Sequence, residues 1–265
     1  NFRITGHNLD SDFIVALAMV KKAAAKANMA TGRLDQTIGN ALVAAADEII
    51  AGKLHDQFPV DPIQGGAGTS INMNTNEVLC NRALEILGDK KGNYDRISPN
   101  NHANMAQSTN DAFPTAIKVC AIQKGRLLVK ALRELAEALE VKAEKFKRVM
   151  KMGRTHLQDA VPVTLGQEFA SYASAVRRGA KRIETALDHL HAVNMGATAV
   201  GTGLNAEPEY IVEVVKQLAE ITGDLAQVFD LFHQGIGHLC REFLDIRRIA
   251  FYGLLQVLDA QLHRR

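Results

Sequence analysis

The feature that most constrains this chain is the stretch over residues 111–150, whose apolar positions recur at helical spacing with an interruption at Gly125. Pro114 lies near its start, where a proline is tolerated in a first helical turn. At ~1.5 Å per residue such a helix approaches ~60 Å. A small compact domain does not house a rod of that length. Chains that form one generally pack several into an extended bundle, and residues 167–193 supply a second, with Phe169, Tyr172, Ala173, Val176, Ile183 and Leu187 on its inward side. Further helices are predicted over residues 9–30, where Asp10 and Asp12 sit at a start that favours acids, and over 34–51, 72–87 and 208–222. Gly52 and Gly88 follow two of these as stops. No alternating Val/Ile/Thr strand of any length occurs, so the predicted class is all-α with a long-helix bundle. The expected division is an N-terminal helical domain over residues 1–108 and the bundle domain over 109–265.

Composition narrows the functional classes. With 47% hydrophobic and 23% charged residues, the 265-residue chain reads as globular with a substantial core. A net charge of +2 with scattered Lys and Arg gives no basic face, so no nucleic-acid partner is expected. Cys80, Cys120 and Cys240 form an odd set without CxxC spacing, which suits reduced thiols. No apolar run is long enough to span a bilayer and the first residues lack a secretory pattern, so the expectation is a cytoplasmic chain with no membrane partner.

Three polar islands interrupt the helices: Gly65-Gly66-Ala67-Gly68-Thr69-Ser70-Ile71-Asn72-Met73-Asn74, Gln107-Ser108-Thr109-Asn110-Asp111, and Gly153-Arg154-Thr155-His156-Leu157-Gln158-Asp159. The first feeds a helix N-terminus, where unpaired backbone N–H groups and the helix dipole favour a carboxylate beside Thr69 and Ser70. Together the islands offer neutral donors to grip an anionic small molecule and a histidine for its polar end. Each also has a plainer reading. Ser108 or Asn110 would serve as a cap for the long helix, the glycine run as an ordinary turn, and His156 as a structural histidine beside an Arg154–Asp159 ion pair. His233, His238, Cys240 and His263 match no standard zinc spacing, and neither a metal nor a cofactor is expected.

Four ordered runs, over residues 65–82, 98–115, 152–167 and 194–205, resemble the aspartase/fumarase superfamily of homotetrameric lyases, and the resemblance covers residues 1–223. Adjacent Thr69-Ser70, then Ser98-Pro99-Asn100-Asn101, then Ser108-Thr109-Asn110-Asp111 resemble its aspartase branch. Fumarases typically carry Gln between the first pair and have His-Pro-Asn-Asp and Ser-Ser-Asn-Asp in the other two places. The resemblance implies reversible anti-elimination of ammonia from L-aspartate to give fumarate through a dianionic aci-carboxylate, in a homotetramer whose sites lie between chains. By similarity Ser108, Thr109 and Thr155 contact the carboxylate that becomes the aci-form. Thr69, Asn110 and His156 surround the amino group and the other end of the substrate, and Thr155 and His156 take the catalytic places. The alternatives are fumarate hydration and a non-catalytic oligomerisation or regulatory module on a lyase scaffold.

The chain also departs from the superfamily pattern. The loop approximating Gly-Ser-Ser-x-Met-Pro-x-Lys-x-Asn-Pro, whose serine is the family's general base, does not occur in the sequence, nor does the usual arginine-bearing first segment. After Gly223 the text ceases to read like the family. Three accounts of the tail are open: a truncated or frame-shifted product, which is the favoured expectation, a degenerate paralogue with a binding or structural role, and a chain from which a middle segment is missing. Whether the chain turns substrate over is left open by the missing base.

Overall fold

The computed structural model describes residues 3–63, 66 and 68–223. Gly65 and Ala67 of the first island lie outside the described residues, as does the tail with His233, His238, Cys240 and His263.

Helix α1 (Ser11–Ala30) starts at Asp10, whose side chain accepts the Asp12 N–H. Ala16, Ala18, Ala23, Ala24 and Ala27 are fully buried, and these small side chains let α2 (Gln36–Ile50), α4 (Thr109–Lys145) and α6 (Pro208–Thr222) pack closely around it. α2 is capped by Asp35, which accepts from Thr37 and Ile38, and it presents Leu42, Ala45, Ala46 and Ile49 to the core. α3 (Thr69–Ile86) contributes Ile71, Leu79, Ala83 and Leu84. The core is continuous across residue 108: Ala112, Ala116, Val119 and Ile122 of α4 join Met195 and the Tyr210, Val214, Val215 and Leu218 face of α6 in one cluster with α1.

The 37 residues of α4 make a rod of about 55 Å. Its beginning is in the core, but beyond Ile122 its only buried residues are Val129 and Ala136. That distal part pairs with α5 (Leu165–Leu190) in antiparallel fashion. A Cβ on Gly166, at the start of α5, would lie 2.5 Å from the Ala143 carbonyl, and one on Gly125 would lie 2.5 Å from Leu187 near the end of α5. Glycine is required at the Gly166 contact, where the backbones themselves meet, whereas at Gly125 the close atoms belong to the movable end of the Leu187 side chain. Arg177–Glu140 and Arg133–Glu184 ion pairs flank the seam. Much of the rod's apolar surface stays open, including Leu127, Leu128, Leu135, Val141 and Tyr172. Tyr172, expected to face inward, is 51% exposed, while Ala173 and Ala180 take the buried seam.

The third island forms a β-hairpin, a strand pair that the sequence pattern does not signal. β1 (Met150–Thr155) pairs antiparallel with β2 (Gln158–Thr164), joined by a two-residue turn at His156 and Leu157. Both turn residues have positive φ, 49° and 62°, as a hairpin turn matched to the strand twist requires. This is the only sheet among the described residues, so the fold remains helical. No described helix is long and apolar enough to cross a membrane. Among the described residues no group of three or more His, Cys, Asp or Glu could hold a metal ion.

Candidate functional site

Two helix N-termini lie side by side. Gly68, at φ 89°, closes directly on Phe113: a Cβ there would sit 2.6 Å from the ring. This contact starts α3 at Thr69, three residues before the predicted start, and sets its first turn against that of α4. Asn72 Nδ2 then donates to Thr109 Oγ1 at 3.1 Å. Thr69, Ser70, Ser108, Thr109 and Asn110 are thereby gathered on adjoining first turns, where backbone N–H groups and both helix dipoles favour an anion.

Ser108 does cap α4. Its Oγ accepts the Asn110 N–H at 3.2 Å, and its own N–H donates to Asp111 Oδ1 at 2.8 Å. Asn110 donates to the Ala199 carbonyl at 2.7 Å, and Asn194 Nδ2 donates to the Asn110 carbonyl at 3.0 Å. The buried Asp111 completes this clasp: its Oδ2 accepts the N–H groups of Gly196 and Thr198, each at 3.1 Å. Thr198 is held at φ 58°, a costly conformation for a β-branched residue. The 194–199 loop is thus fastened to the α4 N-terminus. Burial pushes the Asp111 carboxyl up from the usual range, and the N–H groups of Ser108, Thr198 and Gly196 draw it partly back.

Beneath these turns lies a polar floor that the sequence reading missed. Lys21 is buried and donates to Asn104 Oδ1 at 3.1 Å and Gln107 Oε1 at 2.9 Å. Burial drives its ammonium down to about 7, opposed by Asp111 and Cys80. Burial also raises the Cys80 thiol to about 12, which keeps it protonated and unreactive. Asn104 Oδ1 further accepts from Asn72 and Asn76, each at 3.2 Å. A faint signal was present: Lys21 stands four residues after Leu17 on the buried side of α1, and Asn72 and Asn76 share one face of α3.

Thr155 and His156 are elsewhere. They sit exposed at the hairpin turn, beyond the far end of α4, so that the rod of about 55 Å lies between them and Thr109. One chain therefore does not bring them to Thr69, Ser70, Ser108, Thr109 and Asn110. Leu157 beside them is 92% exposed, so the strained tip projects outward. Arg154 and Asp159 form the expected ion pair at 3.2 Å. A groove of about 450 Å³ between α4 and α5, lined among others by Arg126, Lys130, Arg133, Glu184 and Asp188, runs along the rod, away from the helix N-termini.

Comparison with known proteins gives a consistent pattern. A family model described as lyase matches residues 1–234. The chain is 60% identical over 223 residues to the aspartate ammonia-lyase of Bacillus subtilis (strain 168), covering 84% of this chain and 47% of that protein. It is 50% identical over 224 residues to the class II fumarate hydratase of Neisseria meningitidis, covering 84% and 48% respectively. Among solved structures, the fumarate lyase:delta crystallin from Brucella melitensis bound to cobalt superposes with a TM-score of 0.82 at 46% identity, over 85% of this chain and 49% of that one. The chain spans about half the length of the curated relatives it matches.

Proposed function

The chain belongs to the lyase family whose model matches residues 1–234, and from that premise we propose that it carries the substrate-gripping part of an aspartate ammonia-lyase site. The reaction assigned is reversible anti-elimination of ammonia from L-aspartate to give fumarate. A hydrogen on carbon beside a carboxylate is a very weak acid, so its removal demands donors aimed at the dianionic aci-carboxylate that forms. The observation that carries this reading is the convergence of the α3 and α4 N-termini, with Thr69, Ser70, Ser108, Thr109 and Asn110 on their first turns. Preorganised donors of this kind typically contribute ~10²-fold or more in rate each. Among the described residues, neither the nearby Asp111 nor Cys80 is offered to the place: Asp111 is turned inward on three backbone N–H groups, and Cys80 is buried.

Thr155 and His156 are assigned to the same site, supplied by another copy of the chain. Two features support an assembly in which rods pack together, a homotetramer by family likeness. Within one chain the α4 rod of about 55 Å separates the hairpin from Thr109. The α4–α5 rod also leaves Leu127, Leu128, Leu135, Val141 and Tyr172 exposed, apolar side chains that a neighbouring rod would cover. The first helical domain, residues 1–108, and the rod beyond it are joined through the core that α1 shares with the first turns of α4.

The family's base-bearing serine loop does not occur in the 265 residues, so binding rather than turnover is the direct test. Calorimetric titration of the purified chain with L-aspartate, fumarate and L-malate is expected to show saturable binding of the first two, abolished by Thr109→Val. Binding of none of the three would overturn the assignment. The second reading, fumarate hydration, is favoured by the 50% identity to a class II fumarate hydratase, and preferential binding of L-malate over L-aspartate would select it.

A further inference from the structure

The polar floor does more than fill space, because the direction of every hydrogen bond in it follows from one group. The Lys21 ammonium can only donate, and its two partners are Asn104 Oδ1 at 3.1 Å and Gln107 Oε1 at 2.9 Å. Asn104 must therefore turn its oxygen toward Lys21 and its Nδ2 away, where Nδ2 donates to the Gln107 carbonyl at 3.3 Å. With that oxygen fixed, Asn72 meets it through Nδ2 at 3.2 Å, since the flipped amide would oppose two oxygens. The same Nδ2 reaches Thr109 Oγ1 at 3.1 Å. The hydroxyl accepts there, which leaves its single hydrogen for something outside. The orientation is costly, because it leaves Asn72 Oδ1 and Asn76 Oδ1 buried without protein partners. A neutral Lys21 amine still carries two hydrogens for its two acceptors, so the order survives its deprotonation.

We infer that Asn104 is a positioning residue which, anchored by Lys21 and acting through Asn72, holds the Thr109 hydroxyl as a hydrogen donor toward a bound carboxylate. The inference rests on the carboxylate-binding reading of Thr109 given above. It adds Lys21 and Asn104, which lie outside the polar islands, and Asn72 of the first island to the machinery of the site.

The test compares Asn104→Leu, which is close in shape but offers no acceptor, with Asn104→Asp, which keeps oxygens toward Lys21 and Asn72. Fumarate affinity is measured by calorimetry on the full chain and the thermal midpoint is recorded beside it. The expected result is that Asn104→Leu weakens fumarate binding at least ~10-fold and Asn104→Asp recovers most of it. Equal affinity in the parent and Asn104→Leu, or equal loss in both variants, would overturn the inference. A second arm is independent of ligand. In spectra of the 15N-labelled chain, the Asn72 side-chain amide resonances should move in Asn104→Leu and in Thr109→Val, while those of Asn93, outside the floor, stay. If the parent chain fails to bind fumarate, the functional reading falls and this arm alone decides: Asn72 resonances unmoved by Asn104→Leu refute the relay.

Discussion

Replacing Lys21 with methionine should change how stability depends on pH, and the size of the change follows from where the residue sits. In the folded chain burial draws the Lys21 ammonium down from 10.5 to about 7, with Asp111 of α4 and Cys80 of α3 as the charged and titratable groups that oppose it. Between those two values the unfolded chain holds the proton and the folded chain does not. Stability of the parent therefore rises with pH across this window, by up to ~1.4 kcal/mol per unit. Across the full window from 7 to 10.5 the effect is roughly 5 kcal/mol. Methionine fills much the same volume and has no proton to lose, so its profile lacks this slope. It also strands Gln107 Oε1, which costs ~1–3 kcal/mol at every pH. The variant should thus compare best with the parent at neutral pH and fall behind it toward pH 10. Urea melts of both chains across this window give the difference directly. Parallel profiles would refute the reasoning, because they would mean that Lys21 keeps its proton in the folded state.

Gly68→Ala should destabilise the fold by about 2 kcal/mol or more, because the site needs positive φ and its Cβ would press on the Phe113 ring; a thermal melt reads this out. Asp111→Asn leaves one oxygen for three N–H donors and should cost about 2–3 kcal/mol by urea melt, with faster amide exchange at Gly196 and Thr198. Asp61 Oδ2 accepts the N–H groups of Ile4, Thr5 and Gly6, so Asp61→Asn should speed proteolytic cleavage ahead of α1. Burial raises the Asp61 carboxyl but the bonds from Ile63, Thr5 and Gly6 outweigh it and hold it at about 2. Its contribution is therefore present above the ordinary carboxylate range and fades as pH falls through about 2, and N-terminal protection from acid-active proteases should fade with it.

What was legible in the sequence depended on how local its cause was. The bounds of α6 were read correctly because Pro208 opens it and Gly223, at φ 71°, closes it within its own segment. The start of α3 was misplaced because Gly68 takes its conformation against Phe113, which is distant in sequence. The hairpin gave no strand signal: its two strands are mostly exposed, Gly153 and Pro162 interrupt them, and the His156-Leu157 turn lacks the Asn or Gly that usually marks one. The same contrast holds at the site. Hydroxyl and amide residues ahead of helices can be read locally, as caps or as donors to an anion, so Thr69, Ser70, Ser108, Thr109 and Asn110 stood out as candidates. Lys21 and Asn104 did not, because a lysine gains meaning in an apolar stripe only from partners 83 and 86 residues away.

The central claim, a carboxylate site assembled from more than one copy of the chain, is tested most directly by fumarate titration of four samples. These are the parent, Thr109→Val, His156→Ala, and the two variants denatured together and refolded as a mixture. The predicted result is binding by the parent, loss in each variant alone, and recovery of a fraction of the sites in the mixture, where an intact Thr109 from one chain meets an intact His156 from another. A mixture as silent as its components, or full binding by His156→Ala alone, would contradict it.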